Sequence, residues 1–171
     1  MVTIEESEMS FGIYADDSVF HIEKSPQYRE KLMPNGVKTC EFILSRDRSV
    51  YFVEAKKSCP NQISEESPSE KREKYHEYIK DITDKARHSI SLYASILLER
   101  HPTDGVPKCL LSKDTSQIKF KFVLVVKDAE KEWLVPLQEK LSDELSAERR
   151  IWKFSLFVLT EDVARKKRFI I

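Results

Sequence analysis

Glu41, Glu54 and Lys56 are the residues of this chain whose types and spacing could do chemistry. They interrupt two runs, Cys40-Glu41-Phe42-Ile43-Leu44 and Val50-Tyr51-Phe52-Val53-Glu54-Ala55-Lys56, that otherwise read as apolar β-strands. Charge at a strand position that belongs in a core is costly unless it is paired or bound to a metal. Strand side chains alternate, so Glu54 and Lys56 share a face. With a two-residue turn at Asp47-Arg48, Arg46 faces Ser49, and counting back sets Glu41 directly opposite Glu54. A four-residue loop gives the same pairing, whereas a three-residue loop sets Glu41 against Val53. Opposed residues have Cβ atoms about 4.5–5.5 Å apart, where like charges repel. A divalent metal between the two carboxylates removes that repulsion. Hard oxygen ligands select magnesium or manganese, and a bound metal activates water and stabilises charge on a phosphate oxygen. Lys56 would add a point charge for an attacking hydroxide or a developing phosphorane.

The elements that must position these residues follow from turn signals and periodicity. Residues 9–14 alternate weakly, and 19–22 could return as a second strand after an Asp16-Asp17 turn. Ser25-Pro26 starts a short helix that ends before Pro34-Asn35-Gly36. The hairpin of strands 37–45 and 49–57 follows. Ser67-Pro68-Ser69-Glu70 has the signature of a capping box, and the helix it starts runs to about residue 100. Its apolar stripe is Tyr75, Tyr78, Ile79, Ile82, Ala86, Ile90, Tyr93, Ile96 and Leu97. Residues 117–126 form a strand covered on both faces in its inner half. A helical region from Asp128 carries Trp133, Leu134, Leu137, Leu141 and Leu145, with Pro136 as a kink or restart. Residues 152–159 form the last strand. Trp133 and Trp152 read as core.

This order predicts a mixed central β-sheet flanked by helices, an α/β (α+β) domain of three layers. The final strand–helix–strand unit should be parallel. With 171 residues the chain reads as one domain over 1–171, with 162–171 as a basic and apolar tail. Its 29 basic and 29 acidic residues cancel, so any grip on nucleic acid must be local. The basic candidates for such contacts are Lys57, Lys119, Lys121, Arg165, Lys166, Lys167 and Arg168. Three glycines exclude Gly-rich phosphate loops. Three widely spaced cysteines argue against a zinc finger or disulfide scaffold and for a reduced, cytoplasmic protein. No run approaches a membrane span, and the N-terminus lacks a signal region.

The pattern Cys-Glu-Phe-Ile-Leu, a short turn, then Tyr-Phe-Val-Glu-Ala-Lys resembles the PD-(D/E)xK nuclease superfamily, with its restriction-endonuclease-like fold. Glu54-Ala55-Lys56 is the one Glu-x-Lys in the chain. The resemblance implies that Glu41, Glu54 and the main-chain carbonyl of Ala55 hold Mg2+ or Mn2+, with Lys56 as the catalytic lysine. It implies hydrolysis of phosphodiester bonds in DNA, with RNA as the other nucleic-acid candidate. The close match covers residues 39–57. Glu41 stands where Asp is commoner, and the proline that often precedes the first acid is absent. Glu30, on the short helix, is a weaker candidate for a further acid. The alternative is a nuclease-fold protein without activity, acting as a binding module in a homo-oligomer or larger complex. Balanced charge and the apolar tail Phe169-Ile170-Ile171 favour that alternative.

Overall fold

The computed structural model describes residues 1–61, 63–111, 114 and 116–171. Among the described residues the strands are β1 (Val2–Glu6), β2 (Met9–Tyr14), β3 (Val19–Phe20), β4 (Phe42–Arg46), β5 (Ser49–Lys56), β6 (Lys119–Val126) and β7 (Ser155–Thr160). The α-helices are α1 (Ser69–Leu97), α2 (Lys108–Leu111), α3 (Lys131–Glu144), α4 (Ser146–Trp152) and α5 (Glu161–Lys166). Strands β3 to β7 form one sheet in chain order, while β1 and β2 form a separate hairpin. Pairing is antiparallel from β3 to β5 and parallel from β5 to β7. Helix α1 lies in the connection from β5 to β6, and α3 in that from β6 to β7. This is the mixed sheet flanked by helices that the sequence predicts.

The turn at Asp47-Arg48 sets the register. Both residues lie in the left-handed region, at φ 49° and 56°, the backbone of a two-residue hairpin turn whose twist matches its strands. Arg46 pairs with Ser49, and the ladder runs back to Phe42 opposite Val53. The Glu41 N–H then donates to the Val53 carbonyl at 3.0 Å. The two-residue turn therefore holds, but the paired ladder ends at Phe42: the Glu41 N–H bonds to Val53, the residue that already pairs with Phe42, and does not carry the register on to Glu54.

The sheet is covered on both faces. Ile43, Val50, Phe52, Phe122 and Leu124 pack on one face with the α1 stripe and with Leu134, Leu137 and Leu141 of α3. Phe42, Leu44, Tyr51, Val53, Val123 and Val125 pack on the other with Ile4, Met9 and Phe11 of the hairpin and with Phe169 and Ile170.

Several local expectations are corrected. Strand β2 pairs with β1 before it, and β3 pairs with β4 instead. The first hairpin strand begins at Phe42 and not at residue 37, because the N–H groups of Lys38 and Cys40 bond to His88 and Ser89 of α1. The short helix is a wide π-type turn over Gln27–Leu32, and the Ser25 hydroxyl does accept the Tyr28 N–H at its start. No capping box forms at α1: the Ser67 hydroxyl accepts from Ser64 N–H. Pro136 lies inside α3. Trp152 belongs to α4 and is exposed, and Trp133 is half-buried. The C-terminal segment is no free tail. Residues Glu161–Lys166 are helical and Phe169 and Ile170 are buried, each contributing roughly 1.5–3 kcal/mol. That apolar segment is consumed by the protein's own core, which removes it as a reason to expect a partner.

Candidate active site

The carboxylates sit where β4 and β5 meet the polar flank of α1. Glu41 and Ile43 alternate onto the α1 face of the sheet, as do Phe52, Glu54 and Lys56. Beside its apolar stripe, α1 carries a second row at helical spacing: Tyr78, Asp81, Lys85, His88 and Ser89. Ser89 and His88 fix the backbone of residues 38–40, and so the approach of Glu41.

Glu54 is fully buried and Glu41 nearly so. Lys85 stands between them, with Nζ 2.8 Å from Glu54 Oε1 and 3.6 Å from Glu41 Oε1. Lys56 Nζ lies 3.4 Å from Glu54 Oε1 and 3.0 Å from Asp81 Oδ2. Lys38 closes the row, 2.7 Å from Asp81 Oδ1. The structure thus brings Glu41, Glu54 and Lys56 together, but links the two glutamates through an ammonium that the sequence reading missed. The signal was in the sequence: Asp81 and Lys85 sit one turn apart on the flank of the apolar stripe, where a helix meets the strand it covers.

Electrostatics here is set by burial. Burial, the charge of Glu54 and the neighbouring Glu23 carboxyl push the Glu41 carboxyl up to about 9, against the pull of Lys85. Burial raises Glu54 to about 7, opposed by Lys85 and Lys56. Lys85 is raised, because attraction to both glutamates outweighs its desolvation. Asp81 is partly buried, but Lys38 and Lys56 hold its carboxyl below the usual range.

Three buried oxygens at this site have no hydrogen-bond partner: Glu41 Oε2, Glu54 Oε2 and the Tyr78 hydroxyl. Such orphans cost roughly 1–3 kcal/mol each, which favours a ligand that satisfies them. On its outer side Glu41 meets Glu6 of β1 and Glu23, with one carboxylate oxygen of each within 4.8 Å of the others. This cluster of three acidic residues could hold a metal ion. A hard cation collects oxygens at about 2.0–2.6 Å, and the unpartnered Glu41 Oε2 fits that need. Glu23, on the turn at Ile22–Lys24, supplies the further acid, whereas Glu30 is exposed. The ligand set differs from the one the family resemblance implies. Lys85 stands against Glu54, and the Ala55 carbonyl accepts a hydrogen bond from Ser7 Oγ at 3.0 Å.

Of the basic residues named as nucleic-acid contacts, Lys121 and Lys167 line one cavity and the others lie apart. Lys57 is exposed and pairs with Glu8. Lys119 and Lys121 lie at the other end of the strands from Lys56, opposite Ser49 and Tyr51, about 17–23 Å along β5. Arg165 pairs with Glu161, and Lys166, Lys167 and Arg168 are exposed.

No protein-family model, curated protein or solved structure matches this chain. The nuclease resemblance therefore rests on the sequence of residues 39–57 alone. Cys40, Cys59 and Cys109 are free. Among the described residues no helix is long and apolar enough to cross a membrane.

Proposed function

We propose that this protein is a metal-dependent nuclease that hydrolyses phosphodiester bonds in DNA at the Glu41, Glu54 and Lys56 cluster. One observation carries the reading: two buried carboxylates, Glu41 just before β4 and Glu54 on β5, lie within reach of one ammonium, with Lys56 two residues beyond Glu54 on the same strand face. Glu41, Glu23 and Glu6 would hold magnesium or manganese. When bound, the ion supplies an acidified water and charge stabilisation at a phosphate oxygen. Lys56 does its part from the protein side. Its ammonium is only about a quarter exposed and is held by Glu54 and Asp81, so it can steady negative charge on an attacking oxygen without reorganising. Burial raises Glu54 to about 7 against the pull of Lys85 and Lys56, which suits a carboxyl that exchanges a proton near neutral pH.

A second reading has its own observation. Lys85 Nζ lies 2.8 Å from Glu54 and 3.6 Å from Glu41, which suits a structural ion cluster in a nuclease-like fold that serves as a binding or complex-forming module. The two separate on supercoiled plasmid, single-stranded DNA and RNA, each with magnesium or manganese. The nuclease reading expects metal-dependent cleavage of DNA, reduced on the order of 100-fold or more in Glu54→Ala and Lys56→Ala. No cleavage by wild type, together with a melting temperature indifferent to both metals, would sink it in favour of the second reading.

A further inference from the structure

On the sheet face away from α1, the helix-free ends of β5, β6 and β7 are left open. A cavity of about 200 Å³ forms there, and its walls include Arg46, Tyr51, Lys121, Phe157, Lys167 and Phe169. Three of these are cations, and no carboxylate lines the cavity. The Arg46 guanidinium lies over two rings, 4.5 Å from the Phe169 centroid and 5.1 Å from that of Tyr51. Its Nη1 donates to the Arg168 carbonyl at 3.1 Å, which fixes its plane. Lys121 Nζ donates to the Tyr51 hydroxyl at 3.0 Å and lies 4.8 Å from the ring centroid. Its neighbours in the cavity are thus aromatic, not anionic. Lys167 is exposed at the rim. Phe157, on edge strand β7, is 38 % exposed although its strand neighbours Leu156 and Val158 are buried.

The positive charge here is only partly offset: Asp47 Oδ2 lies 3.9 Å from Arg46 Nε, outside the cavity wall. Partial burial raises the Tyr51 phenol, but Lys121 and Arg46 together outweigh that and leave it below its ordinary value. Elsewhere in the protein lysines beside the sheet are matched with carboxylates, as Lys38, Lys56, Lys57 and Lys85 are. A guanidinium held in plane, two ammoniums and an exposed ring beside them are the groups that grip a phosphate and stack on a base.

We propose that this cavity binds a nucleoside monophosphate, with the phosphate between Arg46, Lys121 and Lys167 and the base against Phe157. The site is on the opposite sheet face from Glu41 and Glu54, so it does not rest on the nuclease reading and needs no metal.

Calorimetric titration of the full chain at low ionic strength tests it, with adenosine 5′-monophosphate, inorganic phosphate and adenosine as probes. The expected result is one saturable site for the mononucleotide, at least about tenfold tighter than for inorganic phosphate or adenosine, and unchanged by EDTA. Lys121→Gln and Lys167→Gln should each weaken it by about fivefold to tenfold, and Phe157→Ala should weaken the mononucleotide while sparing inorganic phosphate. All three positions lie outside the fully buried core, and circular dichroism checks that each variant folds. Equal affinity for mononucleotide and inorganic phosphate overturns the proposal. So does a requirement for magnesium, or binding indifferent to the folded lysine variants.

Discussion

The two faces of β5 treat charge in opposite ways. On the α1 face, Glu41, Glu54 and Asp81 are met by Lys38, Lys56 and Lys85, so every cation of a half-closed cluster has a carboxyl beside it. On the other face, Arg46, Lys121 and Lys167 gather around aromatic rings with no carboxylate in the wall. Dielectric setting explains the difference. Charges taken out of water must be compensated within a few ångströms, because the desolvation penalty per ion is several kcal/mol. Charges at an open cavity keep part of their hydration and can stay unbalanced until an anion arrives. The closed face is therefore a place to look for chemistry tuned by coupling, and the open face a place to look for binding. At the edge of the closed face Glu6 and Glu23 join Glu41 in a cluster that could hold a metal ion, with Lys24 Nζ 3.0 Å from Glu6 on its outer side.

The sharpest way to break this comparison is to remove the ammonium at the centre of the closed face. Lys85→Met leaves Glu54 buried without its nearest cation. It should cost about 3–5 kcal/mol in urea denaturation at neutral pH. Adding Glu54→Gln should recover more than half of the loss, because no buried charge then remains there. A loss below about 1 kcal/mol would show that the cluster is open to solvent and that its pairing is incidental.

A smaller effect comes from Glu41, and its sign is opposite. The folded protein holds this carboxyl protonated up to about pH 9, whereas the unfolded chain releases the proton near 4.5. Between those values unfolding releases a proton, so stability is highest at the acid end of the window and falls as pH rises through it. Without metal, Glu41→Gln should therefore stabilise the protein by about 1–3 kcal/mol at pH 8, and the gain should vanish towards pH 4.5. Millimolar manganese should stabilise wild type more as pH rises and leave Glu41→Gln nearly unmoved. Thermal melts at pH 5 and pH 8, with and without manganese, check both statements. Destabilisation by Glu41→Gln at pH 8 without metal would mean that Glu41 is ionised and well paired.

How far the sequence reaches is clear from these residues. The turn and the register back to Phe42 were legible because strand register is arithmetic once a turn length is chosen, and Asp47-Arg48 adopts the two-residue turn, but the bond from Glu41 to Val53 breaks the last step of that arithmetic. The α1 stripe was legible because 29 helical residues repeat a period. Lys85 left a signal in its spacing from Asp81 on the flank of that stripe, but Glu23 and Glu6 left none, since each reaches the site from a different element and nothing local marks the meeting. The C-terminal segment misled for a related reason. A run of Arg and Lys followed by Phe and Ile reads as a tail until the hairpin supplies Phe11 and Tyr14 to bury it, with the Tyr14 hydroxyl donating to the Phe169 carbonyl. The basic residues were counted correctly as types, but strand alternation and strand length split them between faces and ends of the sheet.

The smallest effect is also the most direct reading of the open face. Of the six tyrosines, Tyr14, Tyr28, Tyr75, Tyr78 and Tyr93 are raised above the ordinary phenol value by burial, which disfavours the phenolate. Tyr51 is the exception: burial acts on it too, but hydrogen bonding and charge from Lys121 and Arg46 prevail. The first tyrosinate absorbance to appear on raising the pH should accordingly belong to one residue, Tyr51, and disappear in Tyr51→Phe. Lys121→Gln should move that first transition upward while leaving urea stability within about 0.5 kcal/mol of wild type. Lys38→Gln, on the closed face, should not move it. The charge at the cavity is thus read from within the protein, with no ligand added. If the first transition survives Tyr51→Phe, or ignores Lys121→Gln, the positive field on this face is screened and the contrast between the two sides of β5 fails.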